Sequence, residues 1–249
     1  MIRFILCVIV VVGFLILSIP ILFVEWIIGK FNPMAKEISS LRIVQAVFRF
    51  ILWISGVKLT VIGEENVPTD VPVLYIGNHR SFFDVPITYP RCPIRTGYIA
   101  KKEMEKVPLL STWMKRLHCL FLDRNDLKQG LKTILTAIEK VKSGISICIF
   151  PEGTRNKNED ELDMLPFHEG SFKIATKANC PIIPIAISNS ANIFEAHFPK
   201  ISPAKVVVEY GKPIYPDELS KEDKRHVGEY TQNVIREMLI KNKTLTENS

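Results

Sequence analysis

The sequence predicts a single α/β domain with a mixed, mainly parallel sheet flanked by helices, preceded by N-terminal membrane helices. Three observations lead there. The first 57 residues hold two long apolar stretches, the chain beyond Lys58 alternates short β-branched runs with helical periodicity, and 249 residues suit one substantial domain better than two. Hydrophobic residues make up 47% and charged residues 23%, which excludes collagenous, low-complexity and disordered chains.

Residues 4–24 form a run of 21 without a charge, bounded by Arg3 and Glu25. As a helix it is about 30 Å long, the thickness of a bilayer's hydrocarbon core. A cleaved signal peptide fits poorly, because the run is long and Pro20, Phe23 and Trp26 occupy the region where small residues would mark a cleavage site. Over 41–57, Arg42, Gln45 and Arg49 recur on an otherwise apolar helix with Phe48, Phe50, Leu52 and Trp53, the pattern of a helix lying in the membrane interface. A core helix with one wet stripe is the alternative. Residues 1–60 carry six Lys or Arg against Glu25 and Glu37, so this segment holds +4 of the chain's net +6. That imbalance points to membrane lipids as partners and to the cytoplasmic face of the membrane. With no recognisable module for it, nucleic acid is not an expected partner.

The expected plan is 1–57 as membrane-associated helices, 58–241 as the domain, and 242–249 as a frayed polar tail. Strands are expected at 58–62, 71–76, 95–100, 119–122, 145–150, 182–187 and 205–209. The clearest helix covers 127–142, with Leu127, Leu131, Ile134, Leu135, Ile138 and Val141 on one face, Asn125 or Asp126 as cap and Gly144 as stop. A last amphipathic helix covers 220–241. Five cysteines (Cys7, Cys92, Cys119, Cys148, Cys180), an odd number without C-x-x-C spacing, exclude a disulfide scaffold and a structural zinc site.

Ligands of open parallel sheets bind beyond the carboxyl ends of the strands. Three such ends carry chemistry: Asn78-His79-Arg80-Ser81-Phe82-Phe83-Asp84, then Asp123-Arg124, then Pro151-Glu152-Gly153-Thr154-Arg155. His79 can take a proton from a hydroxyl at neutral pH if a partner fixes its tautomer, and Asp84 at the start of a helix near Pro86 can turn its carboxylate back to the ring. Arg124 and Arg155 offer planar donor forks for a phosphate or carboxylate. Gly153 permits a tight turn, and Glu152 can fix donors or accept hydroxyls. The sequence has no nucleophile elbow, phosphate-binding P-loop, dinucleotide fingerprint or paired metal-binding histidines. A histidine base with no nucleophile beside it suits direct attack by a substrate hydroxyl.

These residues resemble the glycerolipid acyltransferases. Residues 78–84 are similar to that family's N-H-x-x-x-x-D motif and Phe150 to Arg155 to its F-P-E-G-T-R motif. Phe121-Leu122-Asp123-Arg124 resembles the intervening motif, Cys180-Pro181-Ile182-Ile183-Pro184 the fourth, and Lys101 a basic position between the first two. The resemblance covers about residues 58–215, and within the family it is strongest to the branch that acylates 1-acyl-glycerol 3-phosphate. Two departures are His118, where the family often has Gly, and a longer acidic loop over 156–164. The resemblance implies that His79 deprotonates the sn-2 hydroxyl of lysophosphatidic acid, that Asp84 orients it, and that acyl-CoA or acyl carrier protein donates the acyl group to give phosphatidic acid. It further implies that Arg124 and Arg155, with Lys101, hold the phosphate, that Glu152, Gly153 and Thr154 position the glycerol, and that Asn78, Arg80 and Ser81 belong to the binding set. No metal or redox cofactor is expected. A sister enzyme using glycerol 3-phosphate or another lysophospholipid, a lysophospholipase and an idle membrane scaffold are the competing readings.

Overall fold

The computed structural model describes residues 1–247. Seven strands form one sheet: β1 (Lys58–Ile62), β2 (Leu74–Gly77), β3 (Thr96–Lys101), β4 (Leu120–Leu122), β5 (Ser146–Ile149), β6 (Ile182–Ser188) and β7 (Lys205–Tyr210). Their order is β1-β7-β6-β2-β5-β3-β4. Only the β6–β7 pair is antiparallel, so β1 and β7 run opposite to the other five. Strands β2, β5 and β6 are buried along their whole length, which explains why they read as unbroken apolar runs rather than alternating ones.

The helices are α1 (Ile2–Phe31), α2 (Pro33–Ser55), α3 (Asp84–Thr88), α4 (Leu110–Arg116), α5 (Leu127–Lys142), α6 (Lys173–Ala178), α7 (Lys221–Arg225) and α8 (Val227–Glu247). On one face of the sheet, buried residues of α1, α2, α3 and α4 pack on Tyr75, Ile183 and Val206. On the other, Ala137 and Ile138 of α5, Ile174 of α6 and Ile235 and Leu239 of α8 pack on Leu74, Ile147 and Ile182. The expected helix over 41–57 begins earlier, because Asn32 caps α2 through a hydrogen bond from the Ala35 amide and Pro33 suits its first position. Asp126, one of the two expected caps, accepts from the amides of Lys128 and Gln129 at the start of α5. The single expected C-terminal helix is divided at His226 and continues helical to Glu247, past the 241 boundary; of the expected frayed tail, residues 248–249 lie outside the described residues.

Helix α1 is tied along the domain: Cys7 Sγ lies 3.4 Å from Ser55 Oγ, Trp113 Nε1 donates to Ser18 Oγ at 2.8 Å, and Arg116 donates to the Leu22 carbonyl at 2.8 Å. Its remaining surface is apolar and open, including Ile5, Ile9, Ile16, Leu17 and Phe23. Both α1 and α2 are long and apolar enough to cross a membrane. Yet α2 buries Leu41, Val44 and Ile51 in the core while Arg42, Phe50 and Trp53 face outward, so it combines both expected characters.

Strand β3 passes so close to the turn before β4 that a Cβ on Gly97 would lie 2.3 Å from the His118 carbonyl oxygen. Gly97→Ala should therefore cost about 2 kcal/mol or more and lower the thermal midpoint in detergent. Gly13→Ala, with nothing within 4 Å of the added carbon, should leave the midpoint unchanged or raise it.

Candidate active site

Strand β2 ends at Gly77, and the chain turns at once into α3. Asp84 is the first residue of that helix and is fully buried. Its Oδ2 accepts from His79 Nδ1 and from the amides of Arg80 and Ser81, each at 2.8 Å. The expected return of the carboxylate to the ring is thus observed, although five residues separate the pair. With Nδ1 engaged, Nε2 is the ring nitrogen left for chemistry. Phe150 stacks on the imidazole at 4.4 Å between centroids and 12° between planes, which holds the ring's second face.

Every amide from His79 to Asp84 has an acceptor. His79 N donates to Glu152 Oε1 at 2.7 Å, Phe82 N to Glu195 Oε1 at 2.8 Å, Phe83 N to Ser81 Oγ at 3.0 Å and Asp84 N to the Ser81 carbonyl at 3.2 Å. The His79 carbonyl in turn accepts from Asn156 N at 2.7 Å. This turn is held from all sides, the condition for a base to sit ready without reorganisation.

Two of the expected binding residues act on backbone. Asn78 is buried and pairs reciprocally with Ile187, donating to its carbonyl at 3.0 Å and accepting from its amide at 2.8 Å. Glu152 accepts from His79 N and, through Oε2, from Leu165 N at 3.0 Å, so both oxygens are committed. Burial pushes its carboxyl above the usual range, against the lowering effect of these two amide bonds. Glu152 therefore pins the base's backbone to the loop after β5. Gly153, at φ +71°, makes the turn that its motif predicts. Thr154 is exposed and has no polar partner among the described residues.

The cationic residues separate. Arg155 donates to Glu195 Oε1 at 3.0 Å, and its guanidinium lies 3.5 Å over the Phe82 ring. Arg80 donates to the Asn158 carbonyl, while its Nη1 is buried without a partner. Arg80, Phe82, Arg155 and Glu195 line a cleft of about 1160 Å³. Lys101 pairs with Glu103 at 2.9 Å at the end of β3. Arg124 is exposed and unpaired among the described residues after β4, three positions from β2 in the sheet order. At about 4.8 Å per strand it stands roughly 14 Å from the His79 strand.

Glu195 is the residue that sequence reasoning missed. It lies on the 3-10 turn Glu195–His197 beyond β6 and accepts from Ser81 Oγ at 2.6 Å as well as from Phe82 N and Arg155. No spacing rule reaches across the 114 residues between it and Ser81. Beside it, Phe82, Phe194 and Phe198 form an aromatic rim, and Phe4 of α1 stacks on Phe194 at 5.6 Å. Phe82 and Phe198 are 60% and 73% exposed.

A cysteine nucleophile has no place here. Burial pushes the thiols of Cys92 and Cys180 up to about 12 and that of Cys119 up to about 11, with Cys148 also well above its ordinary value.

Residues 58–188 match the family described as Acyltransferase. A 1-acyl-sn-glycerol-3-phosphate acyltransferase of Saccharomyces cerevisiae is 31% identical over 185 residues, 74% of this chain and 59% of that protein. The chain thus spans less than two thirds of the yeast relative. One of Borreliella burgdorferi is 28% identical over 81% of this chain and 78% of its own, and a probable one of Mycoplasma pneumoniae is 30% identical over 75% and 72%. The crystal structure of the 1-acyl-sn-glycerophosphate (LPA) acyltransferase PlsC of Thermotoga maritima shares the fold, with a TM-score of 0.82, 21% identity and coverage of 97% of this chain and 96% of that one.

The Glu195 contacts generate a prediction. Glu195→Gln keeps the shape but removes the charge facing Arg155 and one acceptor oxygen from the turn. Its thermal midpoint should fall by an amount equivalent to about 1–3 kcal/mol. Arg155→Ala in the Glu195→Gln background should cost less than Arg155→Ala alone, and additive losses in the double-mutant cycle would mean that the two side chains are not coupled.

Proposed function

Because the chain belongs to the acyltransferase family, we propose that it transfers an acyl group from acyl-CoA or acyl carrier protein to the sn-2 hydroxyl of lysophosphatidic acid, yielding phosphatidic acid. The relatives named for this activity support the acceptor. The observation that carries the chemistry is the His79–Asp84 pair, with Nε2 left without a partner among the described residues and, next to it, a cleft lined by Arg80 and Arg155 and by the carboxylates Glu159, Asp160, Glu161 and Glu195, whose aromatic rim joins α1.

His79 Nε2 takes the proton of the acceptor hydroxyl as its oxygen attacks the thioester carbonyl. Asp84 keeps the proton on Nδ1 and stabilises the imidazolium that forms. Collapse of the tetrahedral intermediate breaks the carbon–sulfur bond, and the imidazolium returns the proton to the departing thiolate. The amides from His79 to Asp84 already have acceptors, so donors for the oxyanion lie outside that turn. Arg155, with Arg80 in the same cleft, holds the acceptor's phosphate, and Lys101 and Arg124 extend the basic edge along the sheet. Glu195 keeps Arg155 in position until the phosphate arrives.

The acceptor and product are lipids, and the open apolar surface of α1 keeps the protein at a membrane. The excess of Lys and Arg in the first 60 residues favours the cytoplasmic side.

Steady-state kinetics with labelled acyl donor test this reading. His79→Ala should lower kcat by about 10²-fold or more in folded protein, with Asp84→Asn also impaired. Arg155→Ala should raise KM for lysophosphatidic acid about tenfold and affect monoacylglycerol, which lacks the phosphate, much less. Equal losses on both acceptors would remove Arg155 from the phosphate site, and a His79→Ala enzyme within tenfold of the parent would end the base assignment.

A further inference from the structure

A second cleft, this one basic, lies at the opposite end of the sheet. Arg95 leads into β3, whereas Lys101 leaves it on the catalytic side, and Glu64 follows β1, which runs in the reverse sense. Both therefore sit at the end away from His79. The cleft has a volume of about 500 Å³ and is lined by Arg42, Arg49, Arg91 and Arg95, with Glu64 the sole carboxylate in its wall. With Glu37, the ion-pair partner of Arg95, counted as well, the formal charge around the cleft is two positive. Gln45 is buried beneath it and donates to the carbonyls of Tyr89 and Cys92 at 3.4 and 2.9 Å, fastening the 3-10 turn Tyr89–Arg91 to α2 and setting the separation of the walls.

The arginines are incompletely matched. Among the described residues, Arg42 is exposed and has no partner, and Arg49 donates through Nη2 only to the neutral Pro90 carbonyl at 3.0 Å. Arg91 meets Glu64 at 3.1 Å through Nη1, but its Nε is buried with no acceptor. Arg95 meets Glu37 at 2.7 Å. Guanidinium forks that converge on a wet cleft are suited to a phosphate.

The surroundings select the kind of phosphate. On α2 the same face continues through Met34 and Ile38 before Arg42 and through Trp53 after Arg49, and all three are exposed. Trp53 is 75% exposed and stacks on Phe50 at 5.7 Å, as an aromatic anchor at a lipid headgroup region does. Apolar groups flanking the arginines on both sides fit a ligand with acyl chains attached to its phosphate. We propose that this cleft binds the phosphodiester of an anionic membrane phospholipid, as a site separate from the acceptor's and without a part in catalysis. A choline headgroup would set its own cation against the arginines and is disfavoured.

Binding of dihexanoylphosphatidylglycerol, dihexanoylphosphatidylcholine and inorganic phosphate to the full detergent-solubilised chain, by calorimetry, tests the site in solution and without turnover. The Arg155→Ala background weakens the catalytic phosphate site about tenfold, and substitutions at Arg42 and Arg49 report on the second cleft alone, so failure here leaves the acyl-transfer reading intact. Dihexanoylphosphatidylglycerol should bind at least tenfold more tightly than either other probe. Arg42→Ala/Arg49→Ala should weaken it at least tenfold, and Arg42→Lys/Arg49→Lys should recover part of that loss. In the parent background, the alanine pair should leave kcat for acyl transfer within about twofold. Unchanged affinity in the folded alanine pair would overturn the proposal, as would equal affinity for inorganic phosphate or for the choline lipid.

Discussion

A single oxygen of Asp84 receives the imidazole of His79 and two successive amides, all at 2.8 Å, in a position closed to solvent. A carboxylate withdrawn from water must recover its solvation from donors in fixed directions, and bonds of this charge-assisted kind contribute about 1.5–3 kcal/mol each. The chain between His79 and Asp84 is obliged to wrap around that oxygen. The ring orientation, the start of α3 and the position of Phe82 on the cleft rim all follow from it.

Two other carboxylates extend the arrangement. Glu152 joins the His79 amide to the loop after β5, and Glu195 joins the same turn to Arg155 and to the chain beyond β6. The ends of β5 and β6 are thereby locked by charge to the six-residue turn that follows β2. Asn78 adds a neutral lock between β2 and β6 through Ile187. Most polar groups around the base are therefore committed to the protein itself, Arg155 to Glu195 and Arg80 to the Asn158 carbonyl among them, which leaves Nε2 of His79 as the ring nitrogen without a partner among the described residues.

The elements set by local patterning were legible. The seven strands fall within three residues of their expected starts, and Asp126 and the αL residue Gly144 bound α5 as its periodicity implies. The return of Asp84 to His79 was legible too, because a helix start after a strand end permits little else. Lateral order was not. Arg124 ends a strand as Arg155 does, but β4 is the sheet's edge, and nothing in a strand's own residues states how many strands lie between. Glu195 depends wholly on long-range folding, and so do the amides of His79 and Leu165 that donate to Glu152. His118 adopts φ +60°, a left-handed turn that its side chain disfavours and that its identity does not announce.

The tautomer of His79 tests the central claim most directly, because the whole turn exists to hold a proton on Nδ1 and leave Nε2 bare. Nitrogen–proton correlation spectra of histidine-labelled protein near neutral pH, assigned by the signal lost in His79→Gln, report which ring nitrogen is protonated. The account predicts a protonated Nδ1 and an unprotonated Nε2, with that preference lost in Asp84→Asn. A ring protonated on Nε2, or a spectrum indifferent to Asp84→Asn, would contradict it.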